Sequence, residues 1–130
     1  MLGALIIPEN ISKMKEFLKA VKYRIEQGRA IIIYPEAHVW PYYTKIRPFK
    51  ETSFNFPISN KVPTFCMTTT YYKRKKKNKP GIKVYVDGPF YPDNSLNTKE
   101  QEKELCKKVY KKMIERSKNS NYEYIEYKKM

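Results

Sequence analysis

Glu36, His38 and Trp40 stand within five positions of one another in Ile31-Ile-Ile-Tyr-Pro-Glu-Ala-His-Val-Trp40, and the chain has no other histidine or tryptophan. Carboxylate and imidazole are the usual groups for moving protons near neutral pH. The run before them, Ala30 to Tyr34, is short, apolar and rich in β-branched residues, which predicts a strand buried on both faces. Pro35 ends it, because proline donates nothing to a ladder. Glu36 is thereby expected at the carboxyl end of a buried strand, where open α/β sheets place their ligands. The plain alternative is a strand-end carboxylate paired with a nearby Lys or Arg, and for His38 a packed or exposed loop histidine.

A second feature with chemical reach is Tyr71-Tyr-Lys-Arg-Lys-Lys-Lys-Asn-Lys-Pro-Gly81, which places Lys73, Arg74, Lys75, Lys76, Lys77 and Lys79 in seven consecutive positions. Three readings stand beside one another. The run is a solvated hairpin tip; or it is drawn to an anionic membrane, where each basic residue adds ~1 kcal/mol; or it neutralises nucleic-acid phosphates beside stacking tyrosines. No groove-entering motif accompanies it, so nucleic acid is the least favoured. The whole chain carries a formal charge of +14, from 27 Lys and Arg against 13 Asp and Glu, which favours anionic partners generally. Cys66 and Cys106, forty residues apart, have no disulfide or metal-site spacing and read as two reduced, buried thiols.

The elements that must position these residues follow from periodicity. At 130 residues the chain is one domain at most. Met1 to Ile7 reads as an apolar strand. Asn10 or Ser12 can cap a helix to about Gln27, with Met14, Phe17, Leu18, Val21 and Ile25 on one face and Gly28 as its stop. Residues 35–57 show no sustained period, though a short helix fits around Thr52 to Ser59. Val62 to Tyr72 and Ile82 to Val86 read as strands joined through the basic run, the second ended by Asp87-Gly88-Pro89. A last helix spans about Lys99 to Ser117, with a capping box in Thr98-Lys-Glu-Gln101 and a stripe of Leu105, Val109, Tyr110, Met113 and Ile114. The pattern is α/β, a mixed sheet with flanking helices. The domain is expected over residues 1–117, with a loose polar tail over 118–130. No apolar run reaches the ~18 residues of a spanning helix, and the start has no leader pattern, so a cytoplasmic chain peripheral to the membrane is expected.

Four stretches, in order, resemble the glycerolipid acyltransferases of the 1-acylglycerol-3-phosphate acyltransferase family. Ile33-Tyr-Pro-Glu-Ala-His-Val39 resembles the block usually written Phe-Pro-Glu-Gly-Thr-Arg-Ser. Arg47-Pro-Phe-Lys-Glu-Thr-Ser-Phe54 resembles the phenylalanine-lysine-x-glycine-alanine stretch. Val62-Pro-Thr-Phe-Cys-Met67 resembles Val-Pro-Ile-Val-Pro-Val, and Val84-Tyr-Val-Asp-Gly-Pro-Phe90 resembles the strand and turn late in that domain. The resemblance covers about residues 3 to 116 and implies the back portion of a glycerol-3-phosphate acyltransferase-like fold. The complete domain would transfer an acyl group from acyl-CoA or acyl carrier protein to the hydroxyl of a lysophosphatidic-acid-like acceptor in phospholipid biosynthesis, at a membrane surface. No metal and no cofactor beyond the acyl-donor co-substrate is implied.

Departures from the pattern bear directly on chemistry. The family's His-x-x-x-x-Asp block pairs a general base with its orienting carboxylate, and no such pair exists here: five residues after His38 stands Tyr43, and the aspartates are Asp87 and Asp93. Ala37, His38 and Val39 replace the usual glycine, threonine and arginine, and the lost arginine was a bidentate phosphate donor. The resemblance then implies that Glu36 helps hold the glycerol-phosphate site, with Arg47 and Lys50 as phosphate contacts. No catalytic residue is assigned, and the chain alone is expected to be inactive, awaiting an N-terminal portion. A non-catalytic basic module for anionic membrane or RNA is the alternative.

Overall fold

The computed structural model describes residue 5 and residues 7–130. It is a mixed α/β structure with three α-helices and one two-stranded antiparallel sheet, and it divides into two compact units between Ile33 and Tyr34.

The first unit is built on α1 (Ile11–Glu26). Of the two candidate caps it is Asn10 that starts the helix: its Oδ1 accepts the Lys13 N–H at 3.1 Å and the Ser12 hydroxyl at 2.8 Å. Val21 is buried, Met14, Phe17 and Ile25 are half-buried, and Leu18 is exposed, so the apolar stripe is narrower than its spacing suggests. Gly28 stops the helix at φ +73°, donating to the Ile25 carbonyl while Arg29 donates to that of Arg24, the paired bonds of a Schellman end.

Two expected strands need correction. Most of the Met1–Ile7 run lies outside the described residues, and Leu5 and Ile7 are not in a strand. The Ala30–Tyr34 run is irregular and largely exposed, Tyr34 by 77%. A strand exists only where a neighbour takes its backbone hydrogen bonds, and both strands of the sheet come from later in the chain. Glu36 therefore sits in a loop, not at a strand end.

In the second unit a tight turn of helix, Glu51–Phe54, runs into α2 (Asn55–Ser59), in the place expected for a short helix. A hairpin follows, β1 (Thr64–Tyr72) and β2 (Gly81–Phe90), paired from Tyr72 opposite Gly81 to Thr64 opposite Phe90. The basic run forms its connection. Contrary to expectation, Asp87-Gly88-Pro89 does not end β2; the strand absorbs one extra residue there as a bulge and continues to Phe90. Gly88 makes this feasible: its φ is +133°, and a Cβ would meet the Phe65 ring and the Thr64 carbonyl at 2.9 Å.

Helix α3 (Thr98–Ser117) closes the unit. Its cap lies one residue before the expected box: Asn97 Oδ1 accepts the Glu100 N–H, and the Gln101 side chain reaches back to the Leu96 carbonyl. Leu105, Cys106 and Val109 of α3 form one core with Phe54 and Cys66, flanked by Phe49, Ile58, Phe90 and Met113. Both cysteines are free and buried there, as expected, and burial pushes both thiols up from their ordinary pKa.

The tail is not loose. Ser120 Oγ accepts the Tyr71 N–H, Asn121 donates to the Tyr71 carbonyl, and Asn121 Oδ1 accepts the Lys73 N–H, so the tail caps the end of β1. Farther along, Tyr127 stacks on Trp40 at 5.1 Å and donates its hydroxyl to the Pro41 carbonyl, while Tyr124 meets Tyr42. The tyrosines supply apolar faces that a polar-looking composition conceals.

The hairpin has two unlike faces. Cys66, Thr68 and Thr70 point inward and are buried. Phe65 and Met67 of β1, with Ile82, Val84 and Val86 of β2, point the other way and are exposed, Val86 by 61%. Among the described residues no helix is long and apolar enough to cross a membrane.

Two core substitutions separate packing from polarity. Leu105 has no exposed surface, so Leu105→Ala should cost about 2–5 kcal/mol. The Thr68 hydroxyl is buried without a hydrogen-bond partner, so Thr68→Val should be neutral or stabilising. Urea unfolding followed by circular dichroism measures both.

Candidate functional site

The loop over residues 35–50 has no repeating backbone pattern to hold it, and one arginine does much of that work. The Glu36 carboxylate accepts the backbone N–H of Arg47 at 2.9 Å. The Arg47 Nη2 donates to the Glu36 carbonyl at 3.1 Å and to the His38 carbonyl. Its Nε lies 3.5 Å from the carboxylate, an ion-pair separation, and the guanidinium covers the Trp40 ring at 4.6 Å. Between Glu36 and His38 the chain reverses so tightly that the His38 N–H donates to the Glu36 carbonyl. Ala37 sits there at φ 62°, in the left-handed region where a Cβ costs about 1–2 kcal/mol.

Of the residues singled out from sequence, the structure thus brings Glu36 and Arg47 together and leaves Lys50 apart. Lys50 is exposed beside the Glu51 turn, and among the described residues its ammonium has no ion pair. The pairing of Glu36 with a nearby basic residue is the plain alternative raised above, and it engages the Arg47 backbone N–H and Nη2, while the buried Nε makes no hydrogen bond. His38 is exposed, and among the described residues no ion pair joins its ring to a carboxylate. Asp87 and Asp93 are both committed away from His38: Asp93 Oδ1 accepts the N–H and hydroxyl of Ser95, and Asp87 accepts from Arg116. Two open depressions, one on α3 near Lys107 and Lys111 and one at the start of α1 near Pro8 and Lys13, include none of Glu36, Arg47 and Lys50.

Sequence reasoning missed the strongest ion pair. Arg116 donates to both Asp87 oxygens, Nη2 to Oδ1 at 2.8 Å and Nε to Oδ2 at 3.0 Å, and packs over the Tyr85 ring at 4.7 Å. The pair ties the last turn of α3 to the inward face of β2. A faint signal was available: Asp87 alternates with Tyr85 on one face, and Arg116 follows Met113 by one helical step.

The six basic side chains of residues 73–79 are exposed around the hairpin connection. Lys73 is steadied by Asn121 at its backbone and by the Tyr122 ring, 5.8 Å from its ammonium. Among the described residues no group of three or more His, Cys, Asp or Glu could hold a metal ion.

Comparison with family models, with curated proteins and with solved structures returned no match to this chain.

The Asp87–Arg116 pair sets an acid dependence. The guanidinium hydrogen bonds hold the Asp87 carboxyl below its ordinary range. A carboxylate whose folded pKa is depressed stabilises the fold above its unfolded value of about 4, and loses that contribution as pH falls through the lower folded value. The thermal midpoint should therefore fall as pH drops below about 4. Asp87→Asn should lower the midpoint at neutral pH and flatten the acid decline, measured by circular dichroism melts across pH.

Proposed function

We propose that this chain is the back portion of a glycerolipid acyltransferase domain, whose complete form would acylate a lysophosphatidic-acid-like acceptor from acyl-CoA or acyl carrier protein. The observation that carries the reading is the Pro35-Glu36-Ala37 turn. Ala37 takes a positive φ at the position where the resembled block has glycine, the residue that adopts it without strain. The turn also directs the Glu36 carboxylate onto Arg47 rather than into solvent. In this reading Glu36 and Arg47 shape the loop and Lys50 offers the unpaired cation for the acceptor phosphate. Catalysis is not expected from the chain alone, since His38 lacks an orienting carboxylate. A second reading, a non-catalytic basic module for anionic surfaces or RNA, draws on the exposed basic connection over residues 73–79.

Acyl transfer from acyl-CoA to lysophosphatidic acid, with calorimetric titration of monomeric lysophosphatidic acid, tests the first reading. We expect no turnover, but measurable acceptor binding that Lys50→Gln weakens about tenfold, as loss of a charge-assisted bond implies. Turnover that survives His38→Ala would contradict the missing-base account. An absence of acceptor binding would remove the acyltransferase reading.

A further inference from the structure

We propose that the outward face of the hairpin, with its basic connection, docks on the surface of an anionic phospholipid bilayer. The second reading above names a basic run; this inference rests on what the fold places beside that run. It does not depend on acyl transfer, because a chain that binds no acceptor would still present this face.

Three kinds of surface meet here. The first is apolar: Phe65, Met67, Ile82, Val84 and Val86 lie side by side on the uncovered face, with Met67 opposite Val86 in the register. Thr69 and Tyr71 complete that face by strand alternation, so it holds no charged side chain. An exposed contiguous patch of this sort marks an interaction surface. The second is cationic, the six exposed basic side chains of residues 73–79 at the end of the same two strands. The third is aromatic. Tyr71 meets Tyr42 at 5.6 Å, and through this contact the half-exposed Trp40, Tyr124 and Tyr127 gather near that end of the hairpin.

Charge complementarity selects the occupant. Apolar side chains that enter the acyl boundary, tyrosine and tryptophan at headgroup depth and lysines against lipid phosphates are the separate requirements of an anionic interface. A second copy would bring together two chains of +14 each. RNA would find the rings closed on one another, Trp40 on Tyr127 and Tyr42 on Tyr124, and five aliphatic, thioether or phenyl groups with nothing to hydrogen-bond a base.

Flotation with vesicles of phosphatidylcholine alone and of phosphatidylcholine mixed with phosphatidylserine tests this on the full chain. Trp40, the only tryptophan, gives a second readout through an emission blue shift. Binding to the mixed vesicles alone is expected. Lys75→Gln with Lys77→Gln should weaken it about thirtyfold, from two lost attractions. Met67→Gln with Val86→Thr, uncharged changes at exposed positions, should weaken it at least about tenfold. Lys107→Gln with Lys111→Gln, the same charge loss on α3, should change it by less than about threefold, circular dichroism confirming that each variant is folded. The proposal is overturned if the mixed vesicles are not bound, if Met67→Gln with Val86→Thr leaves binding intact, or if the α3 pair costs as much as the hairpin pair. It is equally overturned if Met67→Gln with Val86→Thr dissociates an oligomer of a chain that ignores lipid, or if RNA alone is bound.

Discussion

The packing of α3 against one side of the β1–β2 hairpin is the interaction on which the second unit depends. A two-stranded sheet is marginal in water by itself and needs a covering element. Leu105, Cys106 and Val109 provide it, meeting Cys66 from the sheet and Phe54 from the turn before α2. The Arg116 guanidinium then fastens the end of the helix to Asp87. Without α3, neither the orientation of the hairpin nor the placement of its basic connection would be defined. The same contact has a consequence on the opposite side. One helix covers one face, so on the other face Phe65, Met67, Ile82, Val84 and Val86 stay exposed, and only its Tyr71 end meets another ring among the described residues, that of Tyr42.

Two loops are organised around that core by polar and aromatic contacts instead of by regular structure. Arg47 closes the segment from Glu36 to Trp40 on itself, using its backbone N–H, its side-chain donors and the face of its guanidinium. The tail from Ser120 to Tyr127 then joins the end of β1 to the same segment through Tyr71, Tyr124 and Tyr127. The residues nearest the proposed chemistry are thus held by long-range contacts. Glu36 owes its geometry to the Arg47 clasp, whereas Lys50 stands outside it.

What could be read from sequence was what local periodicity controls. The extent of α1, the β-rich run of β1 and the extent of α3 each lie close to where the pattern places them. Ala30–Tyr34 failed because a β-branched apolar run is necessary for a buried strand but not sufficient. The tail failed because tyrosine counts as polar in composition while its ring packs as an apolar surface. The Asp87–Arg116 pair joins residues 29 positions apart, beyond any local period. The Glu36–Arg47 pair was legible only as the plain alternative, a carboxylate beside a basic neighbour. Ala37 shows the reverse case, in which a backbone requirement became visible only once its φ was known.

The central claim, that α3 is packed on a two-stranded hairpin whose outer edges no further strand completes among the described residues, is tested most directly by amide hydrogen exchange. Tyr71 turns its backbone groups away from β2, toward Ser120 and Asn121, so by alternation Thr70, Thr68 and Cys66 bond across the ladder. Met67 and Thr69 on β1, and Val84 and Val86 on β2, direct their N–H groups to open edges. The account predicts slow exchange at Thr68 and Thr70 and fast exchange at Met67, Thr69 and Val84 in the free protein. Equal protection of the two sets would contradict it, because it would mean that a further strand already pairs with the edges of the sheet.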